Sequence, residues 1–206
     1  GRGNAYRKMT VAQPAYYDGG IVIDLSRIEP MIALPFHPSN AYTIREFLQR
    51  PEELLQKAEE QGRKILGNDS FTLTTKVKDG KVYVDQGVIA GCAGGTYENI
   101  AEAAEILKDK SVGAGAFSLN VYPSSQPVYK CLADNGYAGM LMSAGAIVKT
   151  AFCGPCFGAG DTPATGALSI RHTTRNFENR EGSKPAQGQL SAVALMDARS
   201  IAATAA

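Results

Sequence analysis

The chain reads Val88-Ile89-Ala90-Gly91-Cys92-Ala93-Gly94-Gly95-Thr96-Tyr97-Glu98 where a short apolar strand passes into a helix. Thr96 is a favourable N-cap residue, and the apolar residues that follow it at helical spacing predict a helix from about Thr96 to Leu107. Cys92 therefore lies in a strand-to-helix turn. In open α/β sheets such turns stand at the carboxyl edge, where ligands bind and where the amides of a helix start favour negative charge. The stretch predicts an α/β fold with a thiolate at its binding edge.

The same plan of strand, turn and helix recurs along the chain. Further strands are predicted over residues 21–25, 115–121, 145–150 and 167–170, a hairpin around Asp79-Gly80, and helices over 126–135 and over 44–66, the last restarting at Pro51. Repeated units of this kind form a largely parallel sheet with helices on its faces. We therefore predict a three-layer α/β/α sandwich.

The length and charge of the chain narrow the class of protein. Its 206 residues suit one domain, 1–206, of which residues 1–16 are read as a lead-in segment. The 21 basic and 20 acidic side chains leave a net charge of +1, without the basic surplus that a nucleic-acid surface needs. The sequence holds no apolar run of about 18 residues that could span a membrane, and its first residues lack the apolar core of a secretion signal. We expect a cytoplasmic protein without nucleic-acid or membrane partners.

Three of the four cysteines predict a metal site. Cys92 is followed sixty-one residues later by the pair in Cys153-Gly154-Pro155-Cys156. Three protein ligands with an open fourth position are typical of a catalytic metal centre, whereas structural sites usually recruit a fourth ligand. Taken alone, the Cys-x-x-Cys pair also fits a zinc half-site or a thiol redox pair. Cys131, in a predicted helix that ends at Gly136, is interpreted as a small buried hydrophobe.

Two further segments make the pattern specific. The run Ala151-Phe152-Cys153-Gly154-Pro155-Cys156-Phe157-Gly158, followed by Arg175-Asn176-Phe177 and Arg180, resembles the cluster-binding domain of the aconitase and isopropylmalate dehydratase family. In that family a first cysteine follows a strand, as Cys92 does here, and a Cys-Gly-Pro-Cys loop and an Arg-Asn-Phe-x-x-Arg segment come later. The stretches 23–30 and 35–38 also resemble the lead-in to that domain. The resemblance extends from about Tyr17 to the end.

The resemblance implies a cofactor and a reaction class. It implies a 4Fe-4S cluster held by Cys92, Cys153 and Cys156, with one iron left open to bind a hydroxy-polycarboxylate during its dehydration or hydration. It also implies that Arg175 and Arg180 bind substrate carboxylates, a task that suits the paired donors of a guanidinium group. The expected activity is that of a lyase, a hydratase or dehydratase similar to aconitase.

The family pattern also implies that this chain is one part of a larger unit. Family members are far longer, and the remaining domains or a separate subunit contribute the catalytic base, so we expect these as partners. Gly94 and Thr174 stand where the family usually has Asn, which leaves the substrate undefined. His37 and His172 show no catalytic pairing, so the catalytic residues remain unknown. The alternatives are a zinc-binding or thiol-redox module and a non-catalytic binding domain.

Overall fold

The computed structural model describes Thr10, Val11 and residues 13–206, so part of the lead-in predicted over 1–16 lies outside the described residues. Seven strands form the main sheet in the order β2-β1-β9-β8-β5-β6-β7. These strands are β1 (Met31–Ala33), β2 (Ala41–Thr43), β5 (Gln86–Ile89), β6 (Ser118–Val121), β7 (Ile147–Val148), β8 (Leu168–His172) and β9 (Ala192–Leu195), and a separate hairpin pairs β3 (Val77–Lys78) with β4 (Lys81–Val82).

Seven α-helices accompany these strands in the described part of the chain. They are α1 (Ile44–Gln49), α2 (Pro51–Leu66), α3 (Gly91–Gly94), α4 (Tyr97–Leu107), α5 (Gln126–Asp134), α6 (Tyr137–Ser143) and α7 (Ala198–Ala205). As predicted, Thr96 caps α4 by accepting a hydrogen bond from the Asn99 amide, and Pro51 begins α2. Both residues of the hairpin turn, Asp79 and Gly80, have positive φ, which fits the predicted two-residue turn.

Five adjacent strands of the main sheet run parallel, and their order defines a switch point. β5 pairs with β6 on one side and with β8 on the other, while β7 and β9 extend the sheet outward from these. At the other end of this sheet, β1 pairs antiparallel with both β9 and β2. The chain after β5 moves toward β6, whereas β8 lies on the opposite side of β5. The carboxyl ends of β5 and β8 therefore flank the crevice where sheets of this kind bind ligands.

The two faces of the sheet differ in chemistry. Because successive strand residues point to opposite faces, Ile89 and Ile170 share one face while Val88 and Arg171 share the other. The first face joins the main apolar core, to which α4, α6 and α7 contribute Ile100, Leu141 and Ile201 among other buried side chains. The second face carries the buried polar residues Asn120, Ser169 and Arg171.

The α/β class and the largely parallel sheet are confirmed. A loop over residues 149–167, here called the cysteine loop, joins β7 to β8 and contributes to the cover over the polar face: the carbonyl groups of Pro155 and Asp161 accept hydrogen bonds from Arg171. A site on this face is therefore bordered by strand ends and by the cysteine loop.

Two sequence-based expectations are wrong. Residues 21–24 form no strand, and Leu25–Arg27 form a short 3-10 turn whose entry is capped by Asp24. Ile21, Val22 and Ile23 are 67–97% exposed, because no neighbouring strand of the described chain pairs with them. Cys131 is exposed rather than buried, since α5 turns Leu132 toward the core and leaves its neighbour outside.

In the ranges 10–11 and 13–206, no helix combines the length and the apolar character needed to cross a bilayer.

Candidate metal centre

Cys92 sits in a one-turn helix immediately beyond β5. Gly91 begins that helix with φ of +74°, a left-handed conformation that glycine adopts at little cost. The turn is tied to β8, because the Ala90 amide donates to the His172 carbonyl at 3.2 Å. Gly94 packs so closely on the same His172 carbonyl that it leaves no room for a side chain. Cys92 is therefore held, exposed, at the carboxyl ends of β5 and β8.

Cys153 precedes a short 3-10 turn over Gly154–Cys156, and Cys156 is the last residue of that turn. The Cys156 amide donates to the Cys153 carbonyl at 3.2 Å, and the Ala159 amide donates to the Gly154 carbonyl at 3.0 Å. Pro155 fits at the start of such a turn, since it has no amide hydrogen to lose there. The Cys153 side chain is exposed, whereas Cys156 is buried with 5% of its surface accessible.

The two cysteine segments meet at Gly91. A Cβ atom added at Gly91 would lie 2.6 Å from the Cys156 Sγ and 3.7 Å from the Cys153 Sγ. Burial raises the pKa of the Cys156 thiol to about 11, and the Cys153 and Cys92 thiols act in the same direction, against the nearby Arg171. The structure thus brings the three predicted cysteine ligands into one neighbourhood.

The three thiols do not form a preformed metal-ion site. Within the part of the chain that the structure describes, no group of three or more Cys, His, Asp or Glu side chains is positioned to hold one metal ion. The cysteines share one neighbourhood without the geometry of a bound ion.

The predicted arginines lie in a loop that follows β8, residues 173–182, here called the arginine loop. Asn176 fixes this loop by donating its Nδ2 to the Leu34 carbonyl at 2.8 Å and to the Ala33 carbonyl at 3.2 Å. Arg175 is exposed, and Arg180 is partly buried, with an Nε atom that lacks a hydrogen-bond partner in the described structure.

The arginine loop packs against the cysteine loop. A Cβ atom added at Gly158 would lie 2.5 Å from the Gly182 Cα, and Gly182 in turn faces the Gly158 carbonyl. Both glycines have positive φ, so the contact requires residues without a side chain. The structure therefore brings the loop bearing Arg175 and Arg180 alongside the loop bearing Cys153 and Cys156.

A buried arginine that the sequence analysis passed over lies beneath the cysteines. Arg171 is 1% exposed in the middle of the polar face. Burial lowers its pKa to about 10, although Glu181 and Asp161 oppose the change. Its sequence signal was the alternation of Ser169 and Arg171 with apolar residues in β8, which places two polar groups on one inward face.

A second charged group borders the cysteine loop. Lys149 Nζ lies 2.7 Å from Asp161 Oδ1 and 5.1 Å from the centroid of the Tyr122 ring. Burial by itself lowers the pKa of Lys149, but the hydrogen bonds to Asp161 and Tyr122 outweigh it and raise that pKa. For the Tyr122 hydroxyl, burial raises the pKa. The lysine is thus a firmly protonated anchor for Asp161 rather than a proton acceptor.

The two histidines take structural positions. His172 accepts a hydrogen bond at Nδ1 from the Ala198 amide at 3.1 Å, and burial lowers its pKa despite the nearby Asp197 carboxylate. His37 Nδ1 lies 2.6 Å from the Ser39 hydroxyl in an exposed turn. His172 therefore orients the start of α7, and His37 belongs to a surface turn.

Comparison with known proteins places this arrangement in a family. The family model described as the aconitase family (aconitate hydratase) matches residues 2–203. A protein named 3-isopropylmalate dehydratase large subunit from Caldicellulosiruptor bescii is 29% identical over 95% of this chain and 38% of its own length. Proteins of the same name from Nautilia profundicola and Moorella thermoacetica are 33% and 30% identical over 91% and 97% of this chain.

The extent of these matches has two consequences. The family model covers nearly the whole chain, including both cysteine segments and the arginine loop. The chain spans only about two-fifths of the length of the relatives from Caldicellulosiruptor bescii and Moorella thermoacetica. On the strength of the family match, this chain belongs to the aconitase family.

Proposed function

We propose that this chain is the cluster-bearing part of a lyase, a hydratase or dehydratase in which Cys92, Cys153 and Cys156 hold a 4Fe-4S cluster. The observation that carries the proposal is the contact at Gly91, where a Cβ atom would come within 2.6 Å of the Cys156 Sγ. Only glycine leaves the Cys92 turn and the Cys153–Cys156 turn free to approach each other. Three soft thiol donors at the switch point of an α/β sheet are the ligand chemistry of an iron-sulfur cluster.

The number of cysteines and the family match favour a cluster over a structural zinc site. A structural zinc ion usually recruits four protein ligands, whereas three cysteines can hold a cluster with one iron left open. The family model covers all three cysteines, which are neighbours in the described structure. When bound, a cluster held by three cysteines supplies a Lewis-acidic iron with an open position.

The substrate class follows from the arginine loop. Arg175 is exposed beside the cysteine loop, and the Nε atom of Arg180 is buried without a partner in the described structure. A guanidinium group with free donors binds a carboxylate through two parallel hydrogen bonds, and two such groups suit a dicarboxylate or tricarboxylate. We infer a hydroxy-polycarboxylate substrate, which is consistent with relatives named as dehydratase large subunits.

The chain's own side chains provide orientation rather than proton transfer. His172 uses Nδ1 to accept the Ala198 amide, and Lys149 is held protonated by Asp161. We therefore infer that the base that removes a proton from carbon belongs to another part of a longer cytoplasmic enzyme, either further domains or a small subunit. Relatives named as large subunits support such a partner.

Metal and sulfide analysis of chain purified without oxygen tests the proposal. We expect about four irons and four sulfides per chain, because this is the composition of the cluster that the cysteines are proposed to hold. Stoichiometric zinc without sulfide would contradict the proposal and support the zinc module. A metal-free chain that cycles between Cys153–Cys156 disulfide and dithiol, and takes up no iron on reconstitution, would support the thiol-redox module instead.

A further inference from the structure

Arg171 is a buried cation whose hydrogen bonds all go to neutral acceptors. Its Nε donates to the Ser169 hydroxyl at 3.0 Å, its Nη1 to the Pro155 carbonyl at 2.8 Å, and its Nη2 to the Gln86 Oε1 at 3.0 Å and to the Asp161 carbonyl. The nearby Glu181 and Asp161 carboxylates raise its pKa against the effect of burial, which nevertheless lowers that pKa overall. Its hydrogen bonds are satisfied, and its charge is balanced in part by these carboxylates.

A charge in this position is costly unless an anion accompanies it. Removing an ion from water costs several kcal/mol even after relaxation, and neutral hydrogen bonds recover only part of that cost. Besides the Glu181 and Asp161 carboxylates, a neighbouring group that can become anionic is Cys156, since a thiol must lose its proton to bind a metal. Pro155, which accepts the Nη1 hydrogen bond, lies between Cys153 and Cys156 in the chain.

The hydrogen bonds also connect distant points of the cysteine loop to the sheet. The Pro155 and Asp161 carbonyls, six residues apart, bind the same planar guanidinium group. Arg171 itself stands on β8, and its partner Gln86 stands on the adjacent β5. A planar guanidinium group held on two paired strands fixes the cysteine loop more precisely than the turns within that loop can.

We propose that Arg171 is a positioning residue of the candidate metal centre, which fixes the Cys153–Cys156 turn on the sheet and supplies positive charge beside the metal-bound thiolates. The inference rests on the proposed function, because the thiolate charge arises when the metal group binds. Arg171 contacts the loop backbone rather than the substrate, so its role is distinct from that of Arg175 and Arg180.

Three variants separate this role from ordinary stability. Arg171→Met removes both the charge and the donors, whereas Arg171→Lys keeps the charge but loses the fork. Leu141→Ala is the matched control, because Leu141 is fully buried in α6 of the apolar core and its truncation weakens the fold away from the cysteine loop. Each chain is reconstituted anaerobically with iron and sulfide well below its own Tm.

We expect Arg171→Met to hold at least threefold less iron and sulfide than the wild type, and Leu141→Ala to hold the wild-type amount. In the fraction that Arg171→Met does assemble, the reduction potential should fall, because a positive charge near the cluster favours the reduced form. Arg171→Lys should restore most of the potential but not all of the iron. In the metal-free chains, hydrogen exchange of the amides of Cys156 and Ala159 should accelerate at least tenfold in Arg171→Met alone.

The possible failures are distinguishable. If the wild type itself takes up no iron and sulfide, the proposed function is overturned. If the wild type does so and Arg171→Met matches it in iron content, potential and loop exchange, the inference alone is overturned. Equal iron loss in Leu141→Ala and Arg171→Met, with an unchanged potential, would reduce Arg171 to a contributor to general stability and would also overturn the inference.

Discussion

Replacing Cys92, Cys153 or Cys156 singly with serine is expected to lower the iron and sulfide bound after anaerobic reconstitution at least tenfold. Serine has nearly the same size but keeps its proton near neutral pH, so it cannot replace a thiolate ligand. Cys131→Ser is the matched control, because Cys131 is exposed on α5 and lies outside the three-cysteine neighbourhood. It should bind the wild-type amount of iron.

The ligand assignment fails if this order is reversed. Loss of iron in Cys131→Ser, together with retention in Cys92→Ser, would show that the thiols near Gly91 are not the ligands. The three ligand variants should keep the fold, which circular dichroism and Tm can check, because each exchange removes only one polarizable sulfur. Cys156→Ser should lower Tm most of the three, since Cys156 alone among them is buried.

The second large effect concerns turnover. The 206-residue chain, even with its metal group restored, is expected to dehydrate or hydrate polycarboxylates several powers of ten more slowly than a complete enzyme. We propose that the thiols and two arginines bind the metal group and the substrate, whereas Lys149 pairs with Asp161 and His172 Nδ1 accepts a hydrogen bond from the Ala198 amide. Loss of a positioned base and of aligned substrate contacts costs about this much in rate.

Activity should appear when the missing parts are supplied in the same polypeptide or as a partner subunit. In that complex, Arg175→Lys or Arg180→Lys should raise KM about tenfold or more, because an ammonium group cannot bind a carboxylate in a bidentate manner. Arg199→Lys is the control, since Arg199 is exposed and forms surface ion pairs with Glu102 at 3.4 Å and Asp197 at 3.6 Å. Ordinary enzyme kinetics from the isolated chain would show that the catalytic unit had been misjudged.

Much of the fold could be predicted because its signals are local. Thr96 indicates the start of α4, Pro51 indicates the start of α2, and Asp79-Gly80 indicates the hairpin turn. Each of these residues has a conformational preference that needs no distant partner. The strand predicted over residues 21–25 is wrong for the opposite reason. Its β-branched residues suit a strand, but a strand also requires a neighbour, and the described chain offers none.

The site was predictable only in part. The cysteines can be recognised from their residue type and spacing, and the glycines beside them from their preference for turns. Arg171 gave a weaker signal, because an arginine in an apolar strand can equally point to solvent. Its burial depends on the register that sets β8 beside β5 and on the path of the cysteine loop across that face. Such long-range contacts cannot be read from residue type alone.

If Cys92, Cys153 and Cys156 hold a 4Fe-4S cluster, one iron lacks a cysteine and stays open to substrate. The most direct measurement is the Mössbauer spectrum of chain reconstituted with iron-57, recorded before and after addition of a hydroxy-polycarboxylate. We predict that about one quarter of the iron signal shifts on addition while the remainder stays in place, because each of the other irons keeps its own thiolate. A spectrum in which all of the iron is unaffected, or which shows no cluster at all, would contradict the proposal that the three cysteines hold a cluster with one open iron.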